Sequence, residues 1–202
     1  MIRVEANRRQ VAQAADNLAK QVRYATAVAL TRTAQDAQAE VRRRLPERFT
    51  IRTGWVAKGI RVKPAKKNNL QASVRVLDPF MALQETGGTK RSQSGDSLAI
   101  PYGARPNPKS VTRPGKFPGA LLKKPNHFIA PLHDDPSTHA VWRRSGRKGR
   151  KLKMMYLFAD RVEIKPRFGF MDTVKAVVEA RFQENFGRAM EEAILSAKTR
   201  SH

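Results

Sequence analysis

The sequence predicts an α+β fold: an antiparallel sheet flanked by long N- and C-terminal helices, with a long proline-rich arm or loop. At both ends of the chain apolar residues recur every three or four positions, the period of a helix with one buried face. Between those ends, short segments alternate apolar and polar residues, the period of a half-buried strand. Eight of the twelve prolines fall between 101 and 136, where neither period is present. Residues 1–88 and 154–202 therefore read as a single α+β domain, and 89–153 as an extended basic arm or insertion.

Ile2, Val4 and Ala6 alternate with polar residues and suit a short strand. From Arg8 to Leu45 the pattern is helical. Val11, Ala15, Leu18, Val22, Ala25 and Ala29 form one stripe, and Leu30, Ala34, Ala37, Val41 and Leu45 continue it on a slightly rotated face. Ten alanines between 11 and 45 give high helix propensity but a thin stripe. Such a helix needs a neighbour, either a sheet or another subunit. Pro46 is expected to end it by disfavouring helical geometry at Leu45.

Thr53–Gly59 reads as a turn or short helix. Ile60 and Val62, then Leu70, Ala72, Val74 and Val76, alternate as two strands around a Lys66-Lys67-Asn68-Asn69 hairpin loop. Pro64 puts the first strand at a sheet edge. Phe80–Thr86 suits a short helix closed by Gly87-Gly88. Met154–Ile164 reads as a strand that Pro166 breaks. Phe170, Val174, Val177, Val178, Phe182, Phe186, Met190 and Ile194 then mark a helix over 168–199, despite Gly187 inside it. The expected architecture packs helices 8–45 and 168–199 on one sheet built from 57–64, 70–77 and 155–164. Leu98-Ala99-Ile100 and Phe128-Ile129-Ala130 look like docking points of an arm over 89–136 that orders only on assembly.

Lys and Arg number 40 against 17 Asp and Glu, a net charge of +23. Leu, Ile, Val and Phe together make only 44 of the 202 residues, so no large apolar core is expected. The charge is segregated. Residues 48–77, 97–133 and 136–159 carry eight, six and seven Lys/Arg and no acid, whereas 168–199 holds four bases and five acids. A field of this kind attracts polyanions: nucleic acid, an anionic surface or an acidic protein face. Its sharpest element is Arg143, Arg144, Arg147, Lys148, Arg150, Lys151 and Lys153, which the two intervening glycines suggest is a flexible loop. That loop either docks onto an acidic protein neighbour, the favoured role, or holds DNA phosphates.

Several classes are excluded or disfavoured. No cysteine is present, so disulfides and thiolate metal sites are ruled out. No charge-free stretch approaches the roughly 18 residues of a membrane helix, and the N-terminus lacks the apolar stretch of a signal peptide. His127, His133, Asp134, Asp135 and His139 match no ligand spacing, so neither metal nor cofactor is expected. No nucleophile elbow, P-loop or dinucleotide fingerprint occurs, so no catalytic residues are assigned and the chain is expected not to be an enzyme. Helix-turn-helix and zinc-finger patterns are missing too, which leaves backbone contact without base readout.

At Ala25–Val76 the order of features carries a resemblance. An Ala-Val-Ala-Leu-Thr-Arg-Thr-Ala-Gln helix leads through Val-Arg-Arg-Arg to Thr-Gly-Trp-Val-Ala-Lys-Gly-Ile-Arg-Val, and Lys-Lys-Asn-Asn-Leu-Gln-Ala-Ser-Val-Arg-Val closes the hairpin. This is similar to the minor tail protein Z, or tail-completion, family of long-tailed bacteriophages. Leu83-Gln-Glu-Thr-Gly-Gly88 and Val162-Glu-Ile-Lys-Pro166 with its following helix resemble later family features. The resemblance spans mainly 8–88 and 157–197. It implies a structural virion protein, assembled in the host cytoplasm, at the head-proximal end of the tail. Such proteins form a homo-oligomeric ring, six-fold by analogy with the tail, through which DNA passes, and they complete the tail for head joining. The implied partners are further copies, other tail and neck proteins and packaged DNA, with no membrane. The alternative is a non-specific architectural nucleic-acid-binding protein.

Overall fold

The computed structural model describes residues 7–51, 53–92, 97–107 and 112–200. The strand expected from Ile2, Val4 and Ala6 lies outside them. The chain is α+β, with long terminal helices and antiparallel sheets. It divides into two compact units: residues 1–46, 53–79 and 168–202, and residues 47–52 and 80–167.

The first unit is built on α1 (Arg8–Arg48) and α5 (Phe170–Arg200). Ala25, Ala29, Ala189 and Ala193 are buried together, flanked by half-buried Val28, Phe182, Phe186 and Met190. Small side chains on the contact line let two helix backbones approach closely, so the large apolar residues of α5 sit beside that line and not on it. Asn185 is also buried, and its amide donates to Thr33 Oγ1 at 3.1 Å and to Asp36 Oδ2 at 2.8 Å. Arg32 closes the pair with a two-pronged bond to Glu192, at 3.0 and 2.8 Å.

Pro46 lies inside α1, not after it. Leu45 is 2% exposed, and burying it holds the helical geometry that a following proline disfavours. Beyond α1, α2 (Trp55–Gly59) leads into β1 (Ile60–Lys63), which pairs with β2 (Ser73–Val76). The expected alternation sets their register: Ile60 faces Val76 and Val62 faces Val74. Lys66 and Asn69 exchange backbone bonds of 2.9 and 2.8 Å at the tip. Arg42 fastens the hairpin to α1 by donating to the carbonyls of Ala57 and Ile60, at 2.9 and 2.8 Å.

Glu40 accepts from Arg43 and Arg44, and these bonds hold its carboxyl down to about 2, from an ordinary 4.5. The Arg32 bond likewise lowers Glu192. A carboxylate depressed on folding adds stability that is complete above its unfolded value and is lost as pH falls through the folded one. The melting temperature is therefore expected to be flat down to about pH 5 and to fall between roughly 4.5 and 2. Melts of a Glu40→Gln, Glu192→Gln variant should show a shallower fall over that window. An unchanged slope would mean that these pairs contribute nothing.

In the second unit, α3 (Phe80–Thr86) ends as expected at Gly87, whose φ of 72° is left-handed and whose N–H reaches the Leu83 carbonyl at 3.0 Å. β3 (Gly88–Arg91) pairs with β8 (Arg161–Ile164). A separate four-stranded antiparallel sheet has the order β4 (Leu98–Pro101), β7 (Lys151–Ala159), β6 (His139–Ser145), β5 (His127–Pro131).

This arrangement corrects two expectations. The strands do not form one sheet: 57–64 and 70–77 reduce to the β1–β2 hairpin, and 155–164 splits at Asp160 between two other sheets. Nor is 89–153 an extended arm: it carries β4, β5 and β6, and its Ala104, Leu121 and Val141 are buried with Met155 and Tyr156, which leaves the insertion reading of the two. The presumed docking points 98–100 and 128–130 are edge strands β4 and β5. The prolines occupy positions where a missing N–H is tolerated: Pro101 and Pro131 end edge strands, and Pro114 and Pro118 open helical turns.

Candidate polyanion site

The seven-residue basic cluster is not a flexible loop. It is the end of the β6–β7 hairpin, where Arg143 faces Lys153, Arg144 faces Leu152 and Ser145 faces Lys151. Gly146, Lys148 and Gly149 all have positive φ, which is why the turn carries two glycines. Strand alternation then separates the cations. Arg144 points to the face of Phe128, with its guanidinium 5.0 Å from the ring centroid. Arg147, Lys148 and Arg150 stand exposed at the tip.

Arg143 and Lys153 point to the opposite face, that of Val141 and Met155. A bulge between Val141 and Trp142 places Met155 as an extra residue on β7, so that Met155 and Tyr156 both reach the core. Residues 102–107 and 112–122 cover this face. Tyr102 N–H bonds the Met155 carbonyl at 2.9 Å, Leu121 is 1% exposed, and Tyr156 Oη donates to the Lys116 carbonyl at 2.9 Å. Gly103 crosses β7 so closely that a Cβ there would lie 2.5 Å from the Met154 carbonyl oxygen.

Where the cover stops, a cavity of about 750 Å³ opens, lined by Arg105, Arg113, Lys116, Arg143 and Lys153, with Met155 at its base. No carboxylate among the described residues lines it. Arg105 is fixed by its Nε, which donates to the buried Thr112 hydroxyl at 2.8 Å. Of the seven cluster residues, the structure thus brings two together and adds three that the sequence reading did not single out. The acid-free tract 97–133 was the signal for those three.

The histidine-rich segment has a structural account. Asp135 accepts from Ser137 N–H at 3.1 Å, Ser137 Oγ at 2.5 Å and Thr138 Oγ1 at 2.6 Å, shaping the turn between β5 and β6. Those bonds, the Ser137 hydroxyl first, hold its carboxyl below the usual range. No group of three or more His, Asp or Glu suited to a metal ion occurs among the described residues. No helix among them is long and apolar enough to cross a membrane.

The chain matches no protein-family model, no curated protein and no solved structure.

Proposed function

We propose that this chain is a non-enzymatic structural subunit of the phage tail-completion kind. Copies of it form a closed ring at the head-proximal end of the tail, through which DNA passes and onto which a filled head joins. The observation that supports this reading is α1 itself. Every residue from Asn7 to Lys20 is exposed, with Val11 at 59% and Leu18 at 54%. That is about 20 Å of helix whose apolar stripe is left exposed. Isolated helices of this length are marginal in water, so the stripe suits burial against another subunit.

Native mass measurement and negative-stain images, alone and with tail tubes, test the reading. A closed ring, or decoration of tube ends, is expected, and a Val11→Glu, Leu18→Glu variant should stay folded but fail to assemble. A protein that stays monomeric and ignores tubes would sink it. The second reading, a non-specific architectural nucleic-acid binder, is favoured by the acid-free cavity. It would show assembly only when nucleic acid is added.

A further inference from the structure

We propose that the cavity bounded by Arg105, Arg113, Lys116, Arg143 and Lys153 is a built site for the backbone phosphates of nucleic acid. The inference goes beyond the ring, since the site lies wholly within one copy of the second unit.

Three separate pieces of chain converge here: the segment after β4, the helical turn Pro114–Lys116 with its approach, and the adjoining ends of β6 and β7. Surface lysines that merely solubilise a protein spread out and mix with acids. These five have no carboxylate partner among the described residues, in a unit with 20 Lys and Arg against 7 Asp and Glu. Arg143 and Lys153 are direct cross-strand partners, and like charges so placed destabilise a sheet. An anion between them would relieve that repulsion.

The frame is also held in place before any ligand arrives. Thr112 orients Arg105, Tyr156 fixes the Lys116 backbone, the Lys116 N–H bonds the Arg113 carbonyl at 2.9 Å, and Arg143 and Lys153 sit on paired strands. Preorganised donors lose little freedom on binding. Three of the five are arginines, whose planar forks suit phosphate oxygens. The volume exceeds that of a single phosphate and suits a short stretch of sugar–phosphate chain. Pro106, Pro114 and Met155 offer apolar surface for the sugars, and no aromatic ring among the described residues lines the cavity to stack a base. The site therefore binds the backbone without reading sequence.

The test compares two triple variants of equal charge loss: Arg105→Gln, Arg143→Gln, Lys153→Gln in the cavity, and Lys63→Gln, Lys66→Gln, Lys67→Gln on the β1–β2 hairpin. Fluorescence anisotropy follows a labelled DNA of about 20 nucleotides, single-stranded and duplex, between roughly 50 and 200 mM salt. The cavity variant should lose roughly ten-fold or more in affinity, and its salt slope on duplex should fall by about two to three; the hairpin variant should lose under about three-fold. Equal losses would overturn the proposal, because the overall field and not the cavity would then be binding. In the unaltered protein, DNA should protect Lys116 and Lys153 from acetylation and leave Lys66 reactive, a readout that survives misfolding of either variant. Uniform protection would also overturn it. So would displacement of the DNA by polyglutamate at equal charge, which would mark an acidic-protein site, or by millimolar inorganic phosphate, which would mark a small-anion site.

Discussion

Replacing Ala29 with Leu is expected to lower the melting temperature by roughly 6–12 °C. Ala29 is 0% exposed, and it meets the α5 side of the pair among Ala25, Ala189 and Ala193. Four alanines bury little area, so this contact depends on how near the two backbones come. A Leu there adds three carbons where no void receives them, and overpacking of this kind costs about 1–3 kcal/mol. The upper end applies because neighbouring side chains have nowhere to yield on a line of methyl groups. At a chain of this size each kcal/mol moves the midpoint by roughly 2–4 °C. Leu and Ala differ little in helix propensity, so a loss reports packing and not helix formation. Ala12→Leu, on the exposed N-terminal part of α1, serves as the control and should melt within about a degree or two of the parent. Circular dichroism melts check both. Equal melting of all three proteins would mean that α1 and α5 do not pack through these alanines.

Much of the first unit was legible because its order is local. Both long helices and the 60–76 hairpin follow from periods of 3.6 and 2 and from turn residues within a few positions, as does the short helix Phe80–Thr86 of the second unit. The periodicity that marks α5 does not single out its contact line. Hydropathy picks Phe182 and Phe186, whereas close approach selects the small Ala189 and Ala193 beside them. Residues 89–153 of the second unit were read as an arm or insertion because their strands are short, their prolines dense and their partners distant in sequence. Nothing near Ile100 announces Leu157, and nothing near Phe128 announces Trp142. The candidate site was half legible for the same reason. Arg143 and Lys153 stand in an obvious cluster, but Arg105, Arg113 and Lys116 join them only through the bulge and the covering segment. Strand alternation, invisible in a count of charges, turns Arg144 away onto Phe128.

Gly103→Ala is the second large effect, and it links the sheet to the cavity. The added Cβ would stand 2.5 Å from the Met154 carbonyl oxygen and 2.7 Å from Lys153 Cε. The lysine stem can swing aside, but the carbonyl belongs to β7, which is paired on both sides by β4 and β6. Relief therefore requires the covering segment to lift or the strand to move, a displacement of about 1–3 kcal/mol on the overpacking scale. A fall of roughly 4–10 °C is expected in a melt. Lifting the cover also carries Arg105 away from Arg143 and displaces Lys153, so DNA affinity should fall together with stability, although no charge has been removed. Gly119→Ala is the paired control. Its Cβ meets nothing within 4 Å, and it lies in α4 (Pro118–Leu122), where alanine should raise stability by about 0.5–1 kcal/mol. If Gly103→Ala melts like the parent, the chain does not cross β7 this closely. If it is destabilised but binds DNA undiminished, the cavity lies elsewhere than on this crossing.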